Sequence, residues 1–134
     1  FFFFKQKTAY EIAKGDWSFR RVLFRSKIYI KKTNKNASYK SLRNAKSDYP
    51  ILNVSVSKHM EQFKLCVGAR PQKATIAKQA SEFLSNNEIN EINIDKAVEI
   101  ASEELTFGSN MRASREYRKA MSKVLLKRAI MEVI

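Results

Sequence analysis

The sequence predicts an α+β domain: a small antiparallel β-sheet of about three strands, covered on one face by three α-helices. Three observations predict it. Residues 51–68 alternate apolar and polar side chains with a period of two. From residue 76 onward, apolar side chains recur at helical spacing. The strand-like segments all precede the helical ones, and no internal repeat interrupts that order.

The elements follow in order. KIYI, Lys27–Ile30, is β-branched and weakly alternating, and reads as a short strand. KKTNKNAS is a polar loop. YKSLRNAKSDYP, Tyr39–Pro50, has no clean period and mixes charge with turn residues, so it reads as a loop of functional character. In ILNVSVS, Leu52, Val54 and Val56 share one face, and Asn53, Ser55 and Ser57 the other. KHME makes a turn, and QFKLCVG repeats the pattern with Phe63, Leu65 and Val67. The two runs form a hairpin whose apolar face needs a cover. A one-residue slip would turn that whole face outward, so the register is strongly specified. GARPQKA ends the strand through Gly68 and Pro71. A first helix has the stripe Ile76, Ala77, Ala80, Phe83 and Leu84, closed by Asn86–Asn87. A second runs from about Ile94 to Leu105 with Asn93 as N-cap. Gly108 breaks it. A third starts at Ser114, again a good N-cap, with Tyr117, Met121, Val124 and Leu125 as its apolar stripe.

The chain has 134 residues and a formal charge of +13. Its N-terminal 26 residues stand apart: they hold six of the nine phenylalanines and the only tryptophan. KQKTAYEI, Lys5–Ile12, resembles the translation of a common sequencing-adapter primer. GDWSFRRVLFRS, Gly15–Ser26, resembles the read-side adapter that follows it. Residues 1–26 are therefore read as a non-native segment and kept out of functional reasoning. Residues 27–134 carry 20 basic and 11 acidic side chains, a balance of +9, enough chain for one small domain. The basic side chains are spread rather than blocked. One cysteine, Cys66, excludes an internal disulfide and any multi-cysteine metal site, and fits a reducing cytoplasm. No stretch approaches the length of a membrane span.

Three segments carry a family likeness: YKSLRNAKSDYPILNVSVS, then FKLCVGARPQKA, then FGSNMRASREYRKAMSKVLLKRA. The strongest is R-A-S-x-x-Y-R-x-x-x-x-x-x-L-L-x-R-A, Arg112–Ala129. Together they resemble the C-terminal domain of the FAD-binding subunit of molybdenum hydroxylases, the xanthine dehydrogenase and carbon monoxide dehydrogenase flavoprotein family. SDYPILNV looks closest to the bacterial xanthine-dehydrogenase-like branch. The resemblance implies a flavoprotein C-terminal domain at 39–134. It implies that 27–38 are the end of an FAD-binding domain, with a linker, and that most of that domain is absent from this chain. The chain's three glycines supply no Gly-rich phosphate loop.

The family implies FAD as cofactor, with NAD as a possible acceptor, and iron–sulfur and molybdenum-cofactor subunits as partners. Electrons pass from the iron–sulfur clusters through FAD to the acceptor, and the protein positions the flavin and sets the charge around it. The fragment alone is expected to be inactive. The family pattern has a lysine eight residues before an aspartate, matched by Lys40 and Asp48. The resemblance makes Lys40 a partner for negative charge at the pyrimidine end of the reduced ring, and Asp48 a steering carboxylate. Tyr49 takes the place of an apolar residue beside the flavin. Where many members have two adjacent arginines, this chain has Arg43, Asn44, Ala45 and Lys46, which leaves the acceptor open.

Bland readings stand beside these. Lys40 is also an ordinary surface lysine, and Asp48 before Tyr49-Pro50 is also turn chemistry. Arg112 and Ser114 order a loop and cap a helix, and Tyr117 is core. His59 lies in the hairpin turn with no metal-ligand partner, and Cys66 is on the polar strand face. The alternative function is a small basic nucleic-acid-binding module. The charge favours it. Against it, the sheet face of Asn53, Ser55, Ser57, Gln62, Lys64 and Cys66 lacks aromatics for base stacking. The leading reading therefore expects no nucleic acid and no membrane as partner.

Overall fold

The computed structural model describes residues 35–70 and 73–134. The strand expected at Lys27–Ile30 and the segment 1–26 lie outside the described residues. The order of elements is β1 (Asn36–Leu42), β2 (Leu52–His59), β3 (Gln62–Gly68), β4 (Thr75–Ala77), α1 (Lys78–Asn86), α2 (Glu91–Glu104) and α3 (Arg115–Val133). The strands form an antiparallel meander in the order β1-β2-β3-β4. The fold is the expected α+β arrangement, with four strands rather than about three.

The hairpin follows the alternation of its sequence. Val54 pairs with Val67, Val56 with Leu65, and His59 with Gln62. Leu52, Val54, Val56, Phe63, Leu65 and Val67 are buried beneath the helices. The connection is the two-residue turn Met60-Glu61, with Met60 in the left-handed region at φ 55°. His59 is thus the last residue of β2, not part of the turn.

Two strands depart from the sequence pattern. β1 takes the first part of the segment expected as a loop, Tyr39–Leu42 included. Its register sets Tyr39 opposite Ser55, so an exposed aromatic lies on the open, polar sheet face. This departs from the expectation that the face lacks aromatics. β4 takes Thr75–Ala77, so Ile76 is a strand residue, 44% exposed, and not part of a helical stripe.

β4 is too short to cover the edge of β3. Two serines of α1 cover the remainder: Ser85 Oγ accepts from Phe63 N at 2.9 Å and Ser81 Oγ from Leu65 N at 3.0 Å. Backbone donors that would otherwise offer a pairing edge are satisfied within the domain. The N-terminus of α1 has no side-chain cap of its own. Glu104 of α2 replaces it, accepting from Lys78 N at 2.8 Å and Gln79 N at 3.0 Å. A carboxylate there also complements the helix dipole. α2 begins earlier than expected because Asn90, not Asn93, is the cap: its Oδ1 accepts from Asn93 N at 2.8 Å. α3 begins as expected, with Ser114 Oγ accepting from Tyr117 N at 3.2 Å.

The buried face of α3 departs in part from the expected apolar stripe. Leu125, Leu126, Ala129, Ile130 and Val133 are buried, together with Arg118 and Ser122. Tyr117 is 46% exposed and Val124 41%, so Tyr117 is not core. The charged Arg118 shares this inward face and is accommodated there because acceptors for its guanidinium lie below it. Along its other side α3 faces α2 through a ladder of surface ion pairs: Lys119 with Glu103, Lys123 with Glu99, and Lys127 with Asp95 and Glu91. Each adds little stability in water; together they line the seam between the two helices. Among the described residues no helix is long and apolar enough to cross a membrane.

Candidate functional site

β1 ends at Leu42 where β2 begins at Leu52, and β3 ends at Gly68 beside Asn53. The loop 43–51 and the segment that follows β3 at 69–70 therefore leave the same end of the sheet. The segment 106–114, between α2 and α3, joins them there: Gly108 N donates to Arg70 O at 2.7 Å. The three stretches that carried the family likeness thus meet at one end of the domain.

Two buried arginines hold that end together. Arg118 is 1% exposed. Its Nε donates to Ile51 O at 3.2 Å, its Nη1 to Gly108 O at 2.7 Å and its Nη2 to Asn110 Oδ1 at 2.6 Å. Burial, and secondarily the nearby charge of Arg112, pulls its guanidinium below its ordinary range. Arg70 is 4% exposed. It reaches the carbonyl of Thr106 through Nη1, and Lys73 O and Thr75 Oγ1 through Nη2 at 3.0 and 2.7 Å.

Above this base the loop 43–50 is largely exposed and internally ordered, with Ile51 buried at its foot. Asp48 N donates to Ala45 O at 3.0 Å, which closes a turn, and Ile51 N to Leu42 O at 2.8 Å. Arg43 Nη1 donates to Asp48 O at 3.3 Å. The Asp48 carboxylate accepts from Tyr49 N at 2.7 Å and lies 3.7 Å from Arg112 Nη2. The Arg112 guanidinium also sits 5.3 Å from the centre of the Tyr49 ring, in cation–π range. Tyr49 is 75% exposed. The result is a rim with a flat aromatic face, one carboxylate and a flanking guanidinium.

Lys40 is placed differently. It lies within β1, on the face turned toward α3, and its ammonium is paired with Glu132. Ser38 Oγ donates to the other oxygen of that carboxylate at 2.6 Å. Asp48 and Tyr49 therefore share one partner, Arg112, while Lys40 has another. Sequence reasoning named neither Arg112 nor Arg118 as a site residue. The signal available was the R-A-S-x-x-Y-R motif itself, in which both stand.

The Glu132 pair predicts a pH effect. The hydrogen bond from Lys40, then that from Ser38, holds the Glu132 carboxyl below its ordinary value of 4.5. A depressed folded value means stabilisation that is present above 4.5 and lost as pH falls through the lower folded value. We expect Glu132→Gln to lose part of the advantage that the wild type has near neutrality and to converge with it in acid. Thermal unfolding from pH 7 to 3 measures this. A constant offset between the two proteins across that range would show that the pair contributes no linkage.

Residues 37–133, well over half the chain, match the family model of the CO dehydrogenase flavoprotein C-terminal domain. The chain belongs to that family. Solved structures agree on the fold. Quinoline 2-oxidoreductase from Pseudomonas putida 86 superposes with a TM-score of 0.69 at 24% identity, over 75% of this chain and 37% of that one. The reconstituted CO dehydrogenase from Oligotropha carboxidovorans gives 0.68 at 22%, over 79% and 39%. A CO dehydrogenase from Hydrogenophaga pseudoflava lacking the Mo-pyranopterin moiety gives 0.68 at 17%, over 76% and 37%. The chain thus spans under two fifths of the length of these relatives. Among curated proteins none matches in sequence. In this flavoprotein C-terminal domain the family match takes in all three rim segments.

Proposed function

We propose that this domain packs its 43–51 rim against FAD in the flavoprotein subunit of a molybdenum-dependent, xanthine-dehydrogenase-like oxidoreductase. The observation that carries the reading is the family match over 37–133, which covers the rim and its supports. Bound FAD would supply the one- and two-electron chemistry; the protein's part is position and charge. The rim suits a planar guest. Tyr49 presents an exposed ring already steadied by Arg112, and Asp48 is held at its base by a turn and two arginines. Asp48 places negative charge at the edge of such a guest and steers what approaches it. Lys40 would complement charge on the ring's pyrimidine end once its ammonium leaves Glu132. The proposal extends to iron–sulfur and molybdenum-cofactor subunits as partners, to NAD as an acceptor and to a cytoplasmic location.

Purified as part of an intact flavoprotein subunit, the protein should carry FAD in a 1:1 ratio, read from visible absorbance. Tyr49→Ala should weaken FAD binding by about tenfold, the scale of a lost stacking contact. A subunit that stays colourless with FAD supplied and residues 43–51 intact overturns the reading.

A further inference from the structure

We propose that Arg118 is the positioning residue of this rim: it sets where Asp48, Tyr49 and Arg112 stand without contacting the flavin itself. The inference rests on the flavin reading above. Its ground is the set of bonds that Arg118 makes. All three end on neutral oxygens: Ile51 O, Gly108 O and Asn110 Oδ1. A buried cation bound only to neutral groups does not serve as half of an ion pair. An apolar side chain of similar volume would fill the space without its desolvation cost. What a guanidinium alone provides is a rigid planar fork that holds several acceptors in fixed directions.

Those acceptors belong to two separate segments, and each leads to the rim by a short route. Ile51 lies two residues after Tyr49 and three after Asp48, at the closing peptide of the loop. Its N–H is fixed to Leu42 O at 2.8 Å and its carbonyl to Arg118 at 3.2 Å, so the loop's foot is gripped on both sides. Asn110 Oδ1 accepts from Arg118 and also from Arg112 N at 3.0 Å and Ala113 N at 3.3 Å. Arg112, which reaches both Asp48 and Tyr49, is therefore one side chain away from Arg118. The single buried fork spans both halves of the exposed cluster. Its own position is rigid because it grows from the first turn of α3, below the Ser114 cap.

The test compares Arg118→Lys with Leu126→Ala. Leu126 is a fully buried residue of the same helix that makes no bond to the rim. Arg118→Lys keeps the charge and loses the fork. Hydrogen exchange on the folded chain should show the amides of Asp48, Ile51 and Ala113 opening about tenfold faster, the scale of one lost hydrogen bond. Hairpin amides such as that of Val56 should be unchanged. In the intact subunit, Arg118→Lys should weaken FAD binding by about tenfold, whereas Leu126→Ala lowers the melting temperature and leaves FAD affinity within about twofold. Rim amides that exchange at wild-type rates in Arg118→Lys overturn the proposal, as does an equal loss of FAD affinity in both variants. Should Arg118→Lys fail to fold, Asn110→Ala removes the fork's bond on the Arg112 side together with the direct acceptor of Arg112 N and Ala113 N, so the readout becomes Asp48, which Asn110 does not touch: its amide must exchange faster or the proposal fails. A wild-type subunit that binds no FAD, with the exchange pattern as expected, rejects the flavin reading while the rim-positioning role stands.

Discussion

Leu65→Ala should destabilise the domain by about 3 kcal/mol, in the range for deleting a fully buried leucine side chain. Leu65 is 0% exposed at the middle of β3, opposite Val56 on one side and Ala77 on the other. Its side chain belongs to the core beneath the helices, and its amide is bonded to Ser81 of α1. Relaxation into the space is limited because both neighbouring strands and α1 are fixed by hydrogen bonds that the substitution leaves in place. The cost therefore includes a cavity term as well as lost transfer energy. For a domain of this size the loss corresponds to a fall in melting temperature of roughly 15 °C. Chemical denaturation with an unchanged m-value would measure it. A loss under about 1 kcal/mol would mean that the sheet and helices close over the gap, and that the layered core is looser than its burial indicates.

That prediction draws on the part of the fold most legible in the sequence. Alternation over 51–68 is strict because one hairpin face is buried and the other is open, and the period alone then identifies inward residues. Ser114 was legible for the same kind of reason: a cap is a local interaction, complete within four residues. What was hidden is less local. β1 mixes Ser38, Lys40 and Tyr39, since an edge strand covered only by the last turn of α3 meets Glu132 there and not an apolar layer. β4 has three residues, too few for a period, and its Ile76 continued a helical pattern by coincidence. Of the expected α3 stripe, Leu125 is buried and Met121 packs against the core, whereas Tyr117 and Val124 are turned outward. The inward face also takes in Arg118, whose acceptors at positions 51, 108 and 110 are remote in sequence or lie in the preceding loop. The site shares this property. Asp48 and Tyr49 were legible through motif likeness, but their meeting with Arg112, 64 and 63 residues away, is made by the fold.

Arg70→Ala should cost about 3 kcal/mol, because truncation of this 4% exposed side chain removes several part-buried, charge-assisted hydrogen bonds at once. Thr106 O, Lys73 O and Thr75 Oγ1 all lose the Arg70 fork. Some of that cost is offset, since Arg70 Nε is itself buried with no hydrogen-bond partner among the described residues. The sharper expectation concerns Arg70 together with Arg118. Arg70 holds the 106–108 segment from the side of β4, through its side chain at Thr106 and its carbonyl at Gly108 N; Arg118 holds the same segment from α3, at Gly108 O. Truncating Arg70 removes the bond at Thr106 but keeps the backbone bond from Gly108 N, so the segment is loosened from one side. The second substitution then has less structure left to disturb. A double-mutant cycle of Arg70→Ala and Arg118→Lys should therefore be sub-additive by about 1 kcal/mol, beyond the few tenths expected of independent sites. Full additivity would mean that the two arginines brace separate loops, and that the rim rests on two foundations rather than on one shared segment. Sub-additivity would locate that foundation at Thr106–Gly108, a stretch tied through Arg118 and Asn110 to both sides of the rim.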